Sequence, residues 1–280
     1  MVMSEIINLI TFKLPYHGMY EMTRMCGKRR SEVWNRLPFK NIWTPTILPD
    51  GNIIICSLED HPYEWSVYHN SPYDRYFIPQ KGDIVVDAGA HVGFYTLKAA
   101  KEVGGEGRVI AVEPEDKNYK LLFLNIRINN YNNVTPVKLA LSDFEGKSTL
   151  YLKARSCSHS LIGKTWKTPI VGATEVYVTT LDKLLEKLKI KKVNILKVNV
   201  EGAELALLKG SKEFLSTRSI DKIVATTHPP FKEEAKKLKD ILRHTIIRSW
   251  FQIMLEFFTH FKFKIASRVY VDDIIDTRDP

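Results

Sequence analysis

The stretch VVDAGAHVGFYT, Val85–Thr96, decides the fold of this chain. A β-branched run ends at Asp87, the chain turns through Gly89, and a helical pattern begins near Gly93. Glycines permit positive φ and close backbone approach, and a helix N-terminus offers unpaired amides to a negatively charged group. The spacing is G-x-x-x-G. It is neither the G-x-G-x-x-G of dinucleotide binders nor a turn closing on the lysine and serine that a nucleoside triphosphate needs.

Strand-like and helix-like patterns alternate outward from this turn. Asp83–Asp87, Arg108–Val112, Val134–Leu139, Val193–Val200 and Lys222–Thr227 read as short apolar strands, and Phe94–Glu102 and Asp116–Asn129 as helices. Repeated βα units with largely apolar strands predict a parallel sheet covered on both faces. Ser148–Lys153 and Glu175–Thr180 alternate in polarity, as an antiparallel pair would, around a polar loop at 154–173. Phe261–Ser267 and Arg268–Val271 read as two further strands around a tight turn. Residues 1–50, with a helical pattern near Ser31–Arg36 and four prolines, are expected to form a helical or irregular cap on a domain spanning 51–280. Within this junction, Asp50-Gly51 is a turn leading into a strand.

The second strand ends in Glu113, where the acidic residue of such a βαβ unit accepts hydrogen bonds from a ribose diol. The alternative is a carboxylate at the start of the next helix, since Glu113-Pro114-Glu115 would open it. Asp143 follows the third strand, where an adenine amino group would need an acceptor. A glycine turn with one acid for ribose and one for adenine suits S-adenosylmethionine better than NAD, because that cofactor carries no pyrophosphate. Its ammonium can use a backbone carbonyl or Asp87.

Five blocks in order, VDAGAHVGFYT, EPEDKNYKLLFLNIRINN, ALSDFEGKSTLYL, VTTLDKLL and ILKVNVEGAELALLKGSKEFL, resemble the motifs of FkbM-type S-adenosylmethionine-dependent methyltransferases. Glu59–Glu64 looks like that family's lead-in, and the resemblance covers roughly residues 50–230. It implies a class I methyltransferase, Rossmann-like α/β fold: a mostly parallel seven-stranded sheet whose last two strands form an antiparallel hairpin. It also implies methyl transfer to a hydroxyl of a sugar or a natural-product scaffold. On the cofactor side Asp87, Gly89, Ala90, Gly93, Glu113, Ser142 and Asp143 match the family's positions. The chain departs from the pattern twice: Asn199 stands where an aspartate is usual, and Thr226-Thr227-His228-Pro229-Pro230 where an acidic residue and a histidine are common.

An alcohol is too weak an acid to ionise near neutrality, so methyl transfer to it needs a base beside an aligned acceptor. Glu201, just past the fourth strand, is the first candidate. His228, stiffened by two prolines, has a side chain suited to proton transfer near neutral pH. Glu204 is a third candidate, which could instead cap its helix or pair with Lys197. Asn199 can orient an acceptor but cannot take its proton. Asp143, Asn199, Glu201 and His228 lack the tight spacing of a metal site, and none is assigned. His91 reads as a packing residue, and Arg155, Ser156 and Ser158–Ser160 as members of a surface loop that could reach an acceptor.

The net charge of +9 in 280 residues leaves room for an acidic partner, so RNA methylation is the first rival reading; a non-catalytic cofactor-binding protein is the second. The charge is spread out, as on a lysine-rich solvated surface. Cys26, Cys56 and Cys157 are odd in number and far apart, which fits a reducing, cytoplasmic setting. The N-terminus lacks a long apolar segment behind a positive region, and no apolar run is long enough to span a bilayer. Ile246–Phe261 reads as an amphipathic helix, with peripheral membrane contact as the alternative.

Overall fold

The computed structural model describes residues 43–57, 60, 67–68, 73–74, 77–163, 169–226, 262–264 and 269–272. Twelve strands and five α-helices run through these segments. β1 (Trp43–Ile47) and β2 (Ile53–Ser57) form an antiparallel hairpin closed by the Asp50-Gly51 turn, so the expected domain start at residue 51 falls inside this hairpin. Then follow β3 (Ile84–Ala88), α1 (Phe94–Val103), β4 (Arg108–Val112), α2 (Asp116–Ile128) and β5 (Val134–Val137). The excursion β6 (Ala140–Leu141), β7 (Gly146–Lys153) and β8 (Ile170–Thr179) forms a separate three-stranded sheet. The chain returns through α3 (Leu181–Lys187), β9 (Val193–Val198), α4 (Glu204–Lys209), α5 (Lys212–Ser216), β10 (Ile220–Thr226), β11 (Lys262–Lys264) and β12 (Val269–Asp272).

The main sheet has the order β11-β12-β10-β9-β3-β4-β5. From β12 through β5 every pairing is parallel, and β11 pairs antiparallel with β12 at the edge. The α/β class and the terminal antiparallel pair are as the sequence predicts. Two strands are shorter than expected. β5 stops at Val137 and β9 at Val198, because Ala140–Leu141 leaves to pair with β8 and the chain beyond β9 turns at once. The possible helix at 31–36, the amphipathic stretch 246–261 and the expected base His228 lie outside the described residues.

Successive strand residues enter opposite layers. Val86, Ala88, Ile110, Val112, Leu196 and Val198 pack with α3, α4 and α5 on one face, whereas Val85, Val109, Ala111 and Ile195 pack with α1 and α2 on the other. Two apolar faces explain why the strands read as continuous hydrophobic runs. Side chains of α2 and its C-terminal end also hold the hairpin. Asn125 accepts from the Ile55 amide at 2.7 Å and donates to its carbonyl at 3.0 Å, and Asn129 does the same for Ile53 at 2.8 and 2.6 Å. These two side-chain amides, one helical turn apart, supply β2 with the hydrogen bonds of a neighbouring strand.

From β3 the chain winds outward to β5, then crosses back to lay β9 on the other side of β3. Strand order therefore reverses between β3 and β9, and an open α/β sheet binds its ligand in the crevice at such a point.

Candidate active site

Asp87 and Lys197, on adjacent strands, form an ion pair at the floor of this crevice, with Nζ 2.8 Å from Oδ1. Both are buried. The second carboxylate oxygen accepts from the Thr96 hydroxyl at 2.6 Å. Lys197 also donates to the Gly89 carbonyl at 2.9 Å and lies 5.8 and 5.9 Å from the ring centres of Tyr73 and Tyr95. Burial alone would pull its ammonium down, but Asp87 foremost, with Tyr73 and Glu113, outweighs it and holds the pKa above the ordinary value. Asp87 lies fully buried beneath the crevice, and of the two acids that could pair with Lys197 it is Asp87 rather than Glu204 that does so.

The glycine turn packs directly on the exit of β9. Gly89 has φ +77, and a Cβ there would lie 1.9 Å from the Asn199 carbonyl oxygen. The amide of Asn199 in turn donates to the Ala88 carbonyl at 3.0 Å. Ala90 is buried, with its amide on the Val112 carbonyl. Gly93 begins α1 at φ 106, where a Cβ would press on Leu122 at 3.0 Å.

Glu113, the first residue after β4, is a buried carboxylate. It accepts from the amides of His91 at 2.9 Å and Glu115 at 3.0 Å. Burial pushes its pKa up to about 7, against the pull of those two amides and of Asn118. The helix-opening role belongs to Glu115, which caps α2 through the Asn118 amide at 2.8 Å. A pH dependence follows for the cofactor-free protein. The folded chain retains a proton that the unfolded chain, with an ordinary value of 4.5, gives up, so the contribution of Glu113 to stability should fall as pH rises from 4.5 to about 7 and then level off. The loss should be roughly 3 kcal/mol at most, at about 1.4 per unit. Denaturant melts of wild type and Glu113→Gln across that window check it: the stability of wild type relative to the variant should fall by that amount, the opposing contributions of His91 and His159 being common to both.

Ser142 is buried with its amide on the Thr179 carbonyl, and its hydroxyl donates to exposed Asp143 at 3.3 Å. On the other side of the crevice, Asn199 donates through Nδ2 to the Tyr73 hydroxyl at 3.4 Å, and that hydroxyl lies 3.4 Å from Thr226 Oγ1. Asn199 Oδ1 is buried without a hydrogen-bond partner among the described residues. A buried acceptor left open in this way suits an incoming O–H or N–H group. Glu201 follows in a left-handed turn at φ 53, with Gly202 at φ 101. Glu204, 3% exposed, accepts from the amides of Val200 at 3.3 Å and Gly202 at 3.1 Å, so its carboxylate braces that turn.

Sequence reading missed Tyr73 and Asp60, and it cast His91 as packing. His91 Nε2 lies 2.9 Å from the Ser156 hydroxyl and 3.6 Å from Asp60 Oδ1, and Ser156 donates to the same Asp60 oxygen at 2.8 Å. Burial lowers the His91 pKa despite the pull of Asp60. His159, in the same loop, is lowered to about 4 by burial. Tyr73 and Asp60 sit in stretches without strand or helix periodicity, where pattern carries no signal.

Residues 87–265 match the methyltransferase FkbM domain, nearly two thirds of the chain, from the glycine turn to β11. The chain belongs to the FkbM methyltransferase family. Family membership brings S-adenosylmethionine as the cofactor, and the crevice fits it: an ionisable acid just past β4 and a turn whose Gly89 leaves no room for a Cβ. A curated relative, Methyltransferase 1 of Beauveria bassiana, is 29% identical over 146 residues, which is 45% of this chain and 57% of that protein. The crystal structure of methyltransferase FkbM from Methylobacillus flagellatus aligns with TM-score 0.39 and 18% identity over 56% of this chain and 35% of the other. A putative rRNA-methylase from Clostridium thermocellum aligns with TM-score 0.41 and 17% identity, covering 69% and 87%. The chain thus spans little more than half of its curated relative and about a third of the solved FkbM chain.

Among the described residues no helix is long and apolar enough to cross a membrane, and no cluster of three or more His, Cys, Asp or Glu side chains is placed to hold a metal.

Proposed function

We propose that this chain is a cytoplasmic O-methyltransferase acting on a hydroxyl of a saccharide or related small acceptor. The observation that carries the reading is the exit of β9, where the open Asn199 Oδ1 and the Glu201 turn lie against the cofactor's glycine turn. When bound, S-adenosylmethionine supplies an electrophilic methyl group on a sulfonium. Glu113 would accept the ribose hydroxyls, the backbone of Gly89, Ala90 and Gly93 would bound the turn, and Ser142 and Asp143 would meet the adenine end. Asn199 Oδ1 would accept from a neighbouring hydroxyl of the acceptor and so aim the reacting oxygen. Glu201 would take the proton as the new C–O bond forms. His228 is the alternative base, and Glu204 keeps the bracing role its hydrogen bonds support.

Radiolabelled methyl transfer from the cofactor to a panel of hydroxylated saccharides tests the reading, and labelling of RNA with none of saccharides would sink it. Glu201→Gln should lower turnover at least about 100-fold, the usual worth of a positioned base. Its affinity for S-adenosylhomocysteine should stay within about twofold, a shift of about 0.4 kcal/mol. Undiminished turnover would move the base assignment to His228.

A further inference from the structure

Among the described residues, five non-glycine positions have left-handed backbone: His91, Asn130, Lys189, Glu201 and Arg218. Asn130, Lys189 and Arg218 each follow the end of a helix, where that conformation is ordinary. His91 and Glu201 do not. They face each other across the switch point, one in the glycine turn after β3 and one in the turn after β9, and strain of this kind persists only where the surroundings impose it.

One loop touches both. In the segment 154–163, Ser156 bonds the His91 ring at 2.9 Å and Asp60 at 2.8 Å. Its carbonyl accepts from Asn118 at 3.1 Å, and Asn118 lies 3.4 Å from Glu113. A closed ring results: the His91 amide to Glu113, Glu113 to Asn118, Asn118 to Ser156, and Ser156 back to His91. Four residues further on, buried Ser160 donates to the Glu201 carbonyl at 2.5 Å. The loop's base is fixed to β7 by paired backbone bonds between Tyr151 and Ser160 at 2.8 and 3.1 Å, so the two contacts are mechanically linked.

We infer that Ser156 and Ser160 are positioning residues, through which this loop holds the cofactor acid Glu113 and the Glu201 turn in register across the crevice. The inference rests on the cofactor reading above. Ser156 acts on Glu113 through the His91 amide, and Ser160 acts on Glu201 through its backbone. Filling the cofactor site therefore stiffens the Glu201 turn by way of the loop.

Two measurements test this without an acceptor: calorimetric affinity for S-adenosylhomocysteine, and amide hydrogen exchange of the peptide covering 199–204. Ser156→Ala should weaken the affinity about 5–10-fold, the worth of one hydrogen bond, and Ser156→Thr, which keeps the hydroxyl, should restore it to within about twofold. In wild type the ligand should slow exchange at 199–204. In Ser160→Ala the affinity should hold within about twofold while that slowing is lost. The Ser160 arm is read independently of how Ser156→Ala folds. Unchanged affinity in Ser156→Ala, a loss that Ser156→Thr fails to rescue, or slowing that persists in Ser160→Ala overturns the inference and leaves the cofactor reading intact. A wild-type chain that binds no S-adenosylhomocysteine overturns both.

Discussion

Replacing Lys197 with methionine is expected to cost about 3–5 kcal/mol of folding stability, the usual penalty for leaving a buried charge without its partner. Asp87 would keep the Thr96 hydroxyl as a donor but lose the ammonium at 2.8 Å, in a place with no surface open to water. Methionine preserves the stem's volume, so packing changes little, although the ammonium's approach to the Tyr73 and Tyr95 rings is lost with the charge. The double variant Lys197→Met/Asp87→Asn should recover part of the loss, because removing both charges removes the uncompensated one. Urea melts of the four proteins measure the coupling, and a double variant worse than the sum of its parts would refute the pair's role. Since the pKa of Lys197 is held above its ordinary 10.5, the stabilisation that the ammonium contributes is present below that value and is lost as pH rises beyond it.

Gly89→Ala should be nearly as damaging, and for steric rather than electrostatic reasons. The new methyl would sit 1.9 Å from the Asn199 carbonyl oxygen and 2.9 Å from its carbon, both backbone atoms that cannot swing aside. Relief requires parting β3 from β9, which also disturbs the Lys197 bond to the Gly89 carbonyl. Gly82→Ala is the control. Its φ is +82 and nothing lies within 4 Å of the place its methyl would take, so it should show backbone strain alone, about 1–2 kcal/mol. Gly89→Ala should lose clearly more than that, together with at least about 10-fold in S-adenosylhomocysteine affinity, equivalent to about 1.4 kcal/mol. Equal losses in the two variants, by thermal melting, would show that close approach is not what Gly89 is for.

The parts of the fold that were legible in the sequence are those with a local cause. Arg108–Val112 is a strand as read, and the helix starting at Asp116 ends within one residue of its expected limit, because apolar periodicity is a property of neighbouring residues. The turn at Gly89 was legible as a glycine turn, but not its reason, since the obstructing carbonyl belongs to Asn199. The acids were visible as types at strand ends, yet whether each faces a ligand or the interior depends on its cross-strand neighbour. Asp87 and Glu113 look alike in sequence. One is locked to Lys197 in the core, the other held by amides with its charge in balance near neutrality. Asp60, Ser156 and Tyr73 lie where the sequence has no strand or helix periodicity, and only the fold brings them to the crevice.

The ion pair beneath the crevice also bears on how the chain is made. Lys197 and the Gly89 carbonyl it holds are 108 positions apart, and β3 finds its neighbour β9 over a similar interval. A ribosome that has delivered the whole glycine motif has thus delivered only half of what shapes it. Until Lys197 emerges, Asp87 is an acid on an uncovered strand and the turn has nothing to lean against. Contacts this distant in sequence close late in folding. Competence to hold a ligand at the glycine turn is therefore expected only once β9 is in place beside β3.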